Sequence, residues 1–283
     1  MTRIEVDVAG RRREALVDVP DALERPVPLL LMFHGAGATA ELVRTNTGWG
    51  DAARRAGIIA MFPEGTRRAP SKPPSFRENP QAWNDGSGRG HVPASGVDDV
   101  ALAAALIEAA AGRWPIDRTR IYATGFSNGA ALVFRLAAEL ADRLAAVAPV
   151  AGHLWLADPR PARPVPLLLI SGAADPLNPL EGGVVETPWG RTEAHPPMIE
   201  SARRWAAATG CDPEPTDISA QPGVTTRRWS GPRGAEVQFN VIEGLGHAWP
   251  GGRRLLPEWI GGPSSDLVDG AATIWRFLSG HHL

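Results

Sequence analysis

The chain has 283 residues, 43% of them hydrophobic and 21% charged, and 29 basic against 31 acidic side chains give a formal net charge of −2. These values exclude a disordered or fibrous chain and give no electrostatic reason to expect a nucleic acid or an anionic membrane surface as partner. The single cysteine, Cys211, excludes an intrachain disulfide framework, while 31 glycines and 27 prolines demand many tight turns.

In chain order, residues 4–8 and 15–19 alternate polar and apolar side chains and predict a hairpin that turns at Gly10. The first ten residues lack the basic start, apolar run and cleavage site of a signal peptide. No stretch approaches the ~18 apolar residues of a transmembrane helix. The chain as written therefore reads as soluble and cytoplasmic, or secreted if a leader precedes it. Residues 28–33 form a continuous apolar run, as a strand buried on both faces would. Residues 58–62, 120–124, 145–150 and 165–170 repeat that pattern.

Helical stretches fall between and after these strands. Residues 97–111 are rich in Ala and Leu, with Asp98 and Asp99 in the first turn where the helix dipole favours acids. Residues 128–140, 197–209 and 266–278 also read as helices, and residues 225–230 and 236–242 as two late strands. Strands alternating with helices predict an α/β fold, a mostly parallel sheet with helices on both faces. Residues 63–95 and 178–196 break the alternation as long Pro- and Gly-rich loops, the kind that carries function in such folds. With no repeat, low-complexity tract or linker, residues 1–283 read as one domain.

The most informative segment is Gly125-Phe126-Ser127-Asn128-Gly129, a G-x-S-x-G motif directly after a strand and directly before a helix. In that context the serine occupies a sharp, strained turn that lifts its hydroxyl above the sheet, and small flanking residues avoid clashes. A serine hydroxyl needs a base to take its proton, and the base needs a carboxylate to orient it. In this fold the chain order is Ser, then Asp or Glu, then His. Asp175 lies just past the apolar run at residues 165–170 and is the expected acid. Its ordinary alternative is a turn aspartate before Pro176. His247 lies just past the last strand within a glycine-rich loop and is the expected base. His195 is the second choice, with a surface histidine as its plain alternative. The oxyanion hole is expected from the amides of Asn128 and of Ala36, the latter in Phe33-His34-Gly35-Ala36-Gly37, with Gly35 as alternative to Ala36.

These residues resemble a known family. His34-Gly-Ala-Gly37, Trp83-Asn-Asp-Gly86, Val97-Asp-Asp-Val100, Gly125-Phe-Ser-Asn-Gly129, Asp175-Pro176 and Gly246-His-Ala-Trp-Pro-Gly-Gly252 are similar to segments of the polyhydroxybutyrate-depolymerase-like esterases. That family groups with the feruloyl and acetyl-xylan esterases of carbohydrate esterase family 1. The resemblance runs in order over residues 13–279. It implies an α/β-hydrolase fold and a cofactor-free serine esterase, with Ser127, Asp175 and His247 as the triad. No metal is expected, since the single Cys211 and the dispersed histidines show no ligand spacing. It implies as substrate a hydroxyalkanoate oligomer or polyester, or a feruloyl or acetyl ester. The lone cysteine and single-domain length shift the expectation toward a soluble ester or short oligomer. His34, Trp83 and Trp249 are expected to contact the substrate, Trp155 and Trp189 more weakly; a structural rather than proton-carrying role is the competing reading for His34, and packing for both Trp83 and Trp249. The oligomeric state is left between monomer and homodimer. The competing functions are a peptidase or lipase on the same fold and a non-catalytic binding protein that has kept this fold.

Overall fold

The computed structural model describes residues 1–23 and 25–283. In chain order the elements are β1 (Thr2–Val8), β2 (Arg11–Asp18), β3 (Val27–Phe33), α1 (Ala40–Asn46), α2 (Trp49–Ala56), β4 (Ile59–Pro63), β5 (Thr66–Arg67) and β6 (Gln81–Ala82). There follow α3 (Asp99–Arg113), β7 (Ile116–Phe126), α4 (Asn128–Glu139), β8 (Ala146–Val150), β9 (Leu167–Gly172), β10 (Gly183–Glu186), β11 (Thr192–His195) and α5 (Met198–Thr209). The chain ends with β12 (Asp217–Gln221), β13 (Val224–Ser230), β14 (Glu236–Ile242), α6 (Glu258–Gly261) and α7 (Gly270–Leu278).

Ten strands form one sheet in the order β1-β2-β4-β3-β7-β8-β9-β14-β13-β12. From β4 to β14 neighbouring strands run parallel, and an antiparallel hairpin closes each edge. The parallel strands β3, β4, β8 and β9 are buried at every position, because helices cover both sides. Their alternation divides the core in two. Leu29, Leu31 and Phe33 of β3 face α3, α4 and α5 through Leu102, Leu132 and Trp205. Leu30 and Met32 face the other layer, with Val43, Trp49 and Ile274 from α1, α2 and α7. This is the α/β-hydrolase arrangement in a single domain.

The expected strands are all present, with ends displaced by a few residues. The strand expected at 120–124 is longer, because Ile116 pairs with Val27 before a bulge in the register. The helix expected from residue 266 begins at Gly270, where Asp269 caps it by accepting from the Ala272 amide. Three helices escaped the sequence pattern, one of them the single turn α6. α1 and α2 have seven and eight residues, and Gly48 between them sits at φ 76°, so neither offers a long periodic face. Residues 178–196 are only partly loop, since β10 and β11 pair there as a small separate ribbon.

Candidate active site

β7 ends at Phe126 and α4 begins at Asn128, which leaves Ser127 alone in the turn at φ 56° and ψ −118°. That backbone conformation is strained for any residue with a Cβ. Packing holds it. The Ser127 amide donates to the Val150 carbonyl at 2.9 Å, and the Ser127 carbonyl accepts from Ala131 at 3.0 Å. Three glycines make room for the turn. A Cβ on Gly125 would fall 2.5 Å from the Gly129 carbonyl oxygen, one on Gly129 2.5 Å from the His34 carbonyl oxygen, and one on Gly152 2.5 Å from that of Ser127.

Ser127, Asp175 and His247 come together, each just past the C-terminal end of a parallel strand: β7, β9 and β14. His247 Nε2 lies 2.9 Å from Ser127 Oγ, and its Nδ1 lies 2.8 Å from Asp175 Oδ2. With a carboxylate accepting at Nδ1, the neutral ring carries its proton there and turns a lone pair toward the serine hydroxyl. The second Asp175 oxygen accepts from the Leu177 and Asn178 amides, both at 2.8 Å. Burial alone would push the Asp175 carboxyl up. The charge and hydrogen bond of His247, joined by those two amides, outweigh burial and bring it below the usual carboxylate range. The base is fixed from behind as well, its amide donating to the Gly261 carbonyl at 2.5 Å and its ring lying 4.8 Å from that of Phe126. Asn178 ties the acid loop to the elbow by donating its Nδ2 to the Ala151 carbonyl at 2.7 Å.

The expected oxyanion loop lies beside the serine. A Cβ built on Gly35 would be 3.3 Å from Ser127 Cβ. Ala36 and Asn128 both line the cavity above Ser127. The Gly37 amide is engaged by the Gln81 carbonyl at 2.7 Å and is not available to the site. Asn128 is the first residue of α4, where amides have no partner within the helix. Its side chain is occupied elsewhere. Oδ1 accepts from the Trp83 amide at 2.8 Å and Nδ2 donates to Asp85 Oδ2 at 2.9 Å.

Two of the residues expected on the substrate are not on the cavity wall. His34 is fully buried. Its Nδ1–H donates to the Gly35 carbonyl at 2.8 Å, and its Nε2 accepts from the Gly65 amide at 2.9 Å. Burial lowers its pKa to about 4, so it is a neutral brace of the oxyanion loop. Trp249 packs into the α1, α2 and α7 layer, against Gly252 and Gly270. The apolar surface of an indole is better removed from water there than left on a loop. Trp83 does line the cavity, yet it is almost entirely covered, and its Nε1 donates to the His34 carbonyl at 2.7 Å.

The cavity encloses about 430 Å³. Phe76, Phe126, Trp155 and Trp189 give it aromatic walls, and Leu255, Leu256 and Trp259 an apolar rim. Both long loops contribute. Trp189 Nε1 donates to the Phe76 carbonyl at 2.8 Å with the rings 5.2 Å apart, and Arg89 reaches Glu193 at 2.6 Å. His195, the second choice for the base, lies on β11 in this wall and outside the triad. His153, Arg89 and Glu193 were not singled out from sequence, although His153 lies directly after Gly152 and so beside the elbow. A further support escaped sequence reading. Asp99, fully buried, pairs with Arg13 at 2.9 Å and accepts from the Asn84 amide at 2.7 Å. The Trp83-Asn84-Asp85 segment is thereby held between Asp99 and Asn128. Among the described residues no group of three or more His, Cys, Asp or Glu side chains is arranged to hold a metal ion. Nor, among them, is any helix long and apolar enough to cross a membrane.

Comparison with known proteins shows the family and the fold. The family model described as Esterase PHB depolymerase matches residues 14–158. The "Putative esterase NocK" of Nocardia uniformis subsp. tsuyamanensis is 33% identical over 301 aligned positions, covering 99% of this chain and 83% of that protein. Feruloyl esterase B of Piromyces equi is 28% identical over 83% of this chain, which spans 42% of that longer protein. The solved acetyl xylan esterase from Aspergillus awamori superposes with a TM-score of 0.62 at 14% identity, over 88% of this chain and 94% of that one.

Proposed function

The chain belongs to the esterase PHB depolymerase family, a family of carboxylic ester hydrolases, and from that premise we propose that Ser127, His247 and Asp175 are its nucleophile, base and orienting acid. Residues 1–283 then serve as one catalytic domain. The observation that carries the assignment is the unbroken hydrogen-bond chain from Asp175 through His247 to a serine held in a strained elbow.

The reaction is acyl transfer in two halves. Ser127 Oγ attacks the ester carbonyl carbon as His247 Nε2 takes the hydroxyl proton. The electron pair of the carbonyl moves onto oxygen, and the Ala36 and Asn128 amides hold that oxyanion. Each amide lowers the barrier by about 3 kcal/mol. Asp175 stabilises the imidazolium and keeps its tautomer. The oxyanion then collapses, the C–O bond to the alcohol breaks, and His247 returns the proton to the leaving oxygen. Water repeats the sequence on the acyl-serine and releases the acid. No cofactor enters any step.

The substrate is a small or oligomeric ester, of the hydroxyalkanoate, feruloyl or acetyl class. A cavity of about 430 Å³ with aromatic walls supports an acyl group of that size. The complete hydrogen-bonded triad argues against a non-catalytic binding role. The test is hydrolysis of p-nitrophenyl butyrate by the wild type and by Ser127→Ala of equal circular dichroism. The expected result is a loss of at least about 10³-fold in kcat. Retained activity in Ser127→Ala would remove the nucleophile assignment.

A further inference from the structure

Two histidines of the cavity wall take no part in the chemistry above. His153 follows Gly152, which packs on the Ser127 carbonyl, so the imidazole stands beside the elbow. His195 ends β11 and meets it with ring centroids 5.1 Å apart at 85°. Trp155 closes the group, 5.1 Å from His153 and 5.4 Å from His195, and the Arg89 guanidinium lies 3.8 Å above its ring.

The four ring nitrogens of this pair are shielded from bulk solvent and make no hydrogen bond to protein. The Glu193 carboxylate stands 3.6 Å from His195 Nε2, beyond hydrogen-bonding reach. A buried polar group without a partner costs about 1–3 kcal/mol. Apolar side chains would fill the same space without that cost, so two adjacent imidazoles of the cavity wall with four unpartnered nitrogens mark a place where a polar group docks.

The surrounding charge says which kind. Arg89 is offset by Glu193 at 2.6 Å and Asp85 at 3.7 Å, and Arg191 lies 3.2 Å from Glu193. Burial lowers the His153 pKa to about 3 and also lowers that of His195, with Arg89 and the neighbouring imidazole adding to the effect on His153. Two cations against two carboxylates, with both imidazoles uncharged, give a wall with no net charge. An anion or a cation would be desolvated there without a counter-ion. Each uncharged imidazole offers one N–H and one lone pair, and a hydroxyl group both accepts and donates.

We propose that His153 and His195 form a hydroxyl-binding subsite of the catalytic cavity. The preferred esters then bear a free hydroxyl on the acyl or the alcohol part. This proposal rests on the esterase reading above. In the bound state the hydroxyl oxygen accepts from the N–H of one imidazole, and its proton points to the lone pair of the other. Trp155 gives the carbon next to that hydroxyl a flat apolar surface. A site built to hydrogen-bond a hydroxyl rejects the analogue lacking it far more strongly than an apolar pocket rejects an added one.

The experiment compares kcat/KM within pairs matched in shape, followed by pH-stat. Ethyl 3-hydroxybutyrate against ethyl 3-methylbutyrate tests an acyl hydroxyl. Butyrate esterified with ethylene glycol against propyl butyrate tests an alcohol hydroxyl. The wild type is expected to favour the hydroxyl member at least about tenfold in one pair, and that pair identifies the side of the ester. His153→Phe and His195→Phe keep a ring in place and remove the nitrogens. Collapse of the ratio toward one in either variant supports the subsite. A wild-type ratio near one in both pairs, or a ratio that both variants keep, overturns it. Should His153→Phe not fold, His195→Phe, on the ribbon rather than at the elbow, decides alone. Failure of the esterase reading looks different: no ester of either pair is hydrolysed by the wild type.

Discussion

Gly129 is the second residue of α4 and a sharp probe of how the elbow is built. A Cβ there would meet the Phe33 carbonyl and, at 2.5 Å, the carbonyl oxygen of His34. Both atoms are backbone at the end of the fully buried strand β3, so neither can swing aside as a side chain would. Gly129→Ala must therefore push the start of α4 away from β3. Overpacking of this kind costs about 3 kcal/mol. For a chain of this length that lowers the melting temperature by roughly 5 °C. The same displacement carries the Asn128 amide away from the oxyanion, and loss of one such donor lowers kcat by about 10²-fold. Gly112, in the last turn of α3, is the control. A Cβ there meets nothing within 4 Å, and its backbone is helical. Gly112→Ala should raise the melting temperature by about 2 °C, the helix gain of alanine over glycine. Differential scanning calorimetry of the two variants, with kcat measured on p-nitrophenyl butyrate, checks both signs. Gly129→Ala melting and turning over like the wild type would refute the steric reasoning.

Three further outcomes follow from particular contacts. Asp175→Asn should leave the fold intact and lower kcat by about 10⁴-fold, the loss known for a triad whose imidazole is held in the wrong tautomer; steady-state kinetics reads it. Arg13→Ala strands the buried Asp99 carboxylate, whose pKa burial already raises against the pull of Arg13, and should cost about 3–5 kcal/mol in urea unfolding at pH 7. His34 has a folded pKa of about 4 against 6.5 unfolded, so the unfolded chain takes the proton first as pH falls. Its contribution is complete above pH 6.5 and declines toward pH 4, by roughly 3 kcal/mol. His34→Gln should therefore show a smaller loss of stability between pH 6.5 and 4.5 than the wild type, and an unchanged slope would show that His34 does not titrate in that window.

The three side chains assigned to the triad could be read locally because Ser127 and Asp175 each follow a continuous apolar run and His247 follows the strand at 236–242, and a parallel sheet puts the ends of such strands on one edge. Ser127 had the added signal of small residues on either side. His34 and Trp249 look equally functional in sequence, since glycine-rich segments surround both. They and His247 are all buried, but His247 lines the cavity, whereas Gly65 and Trp83 close over His34 and the α7 layer over Trp249. The Arg13–Asp99 pair spans 86 residues of sequence and joins β2 to α3, so no local pattern announces it. The polar wall was hidden for the same reason. His153, Arg89 and His195 come from three separate loops or strands, and only the contact between residues 63–95 and the β10–β11 ribbon makes them neighbours. The helices α1 and α2 were missed because each is barely two turns long.

The most direct test of the catalytic assignment is labelling with a fluorophosphonate followed by peptide mapping. Fluorophosphonates phosphonylate a serine only when a neighbouring base activates it. One adduct is expected, on the peptide containing Ser127, forming at least about 10³-fold more slowly in His247→Ala. No adduct on the folded wild type, an adduct on another residue, or labelling of Ser127 at the same rate in His247→Ala would contradict it.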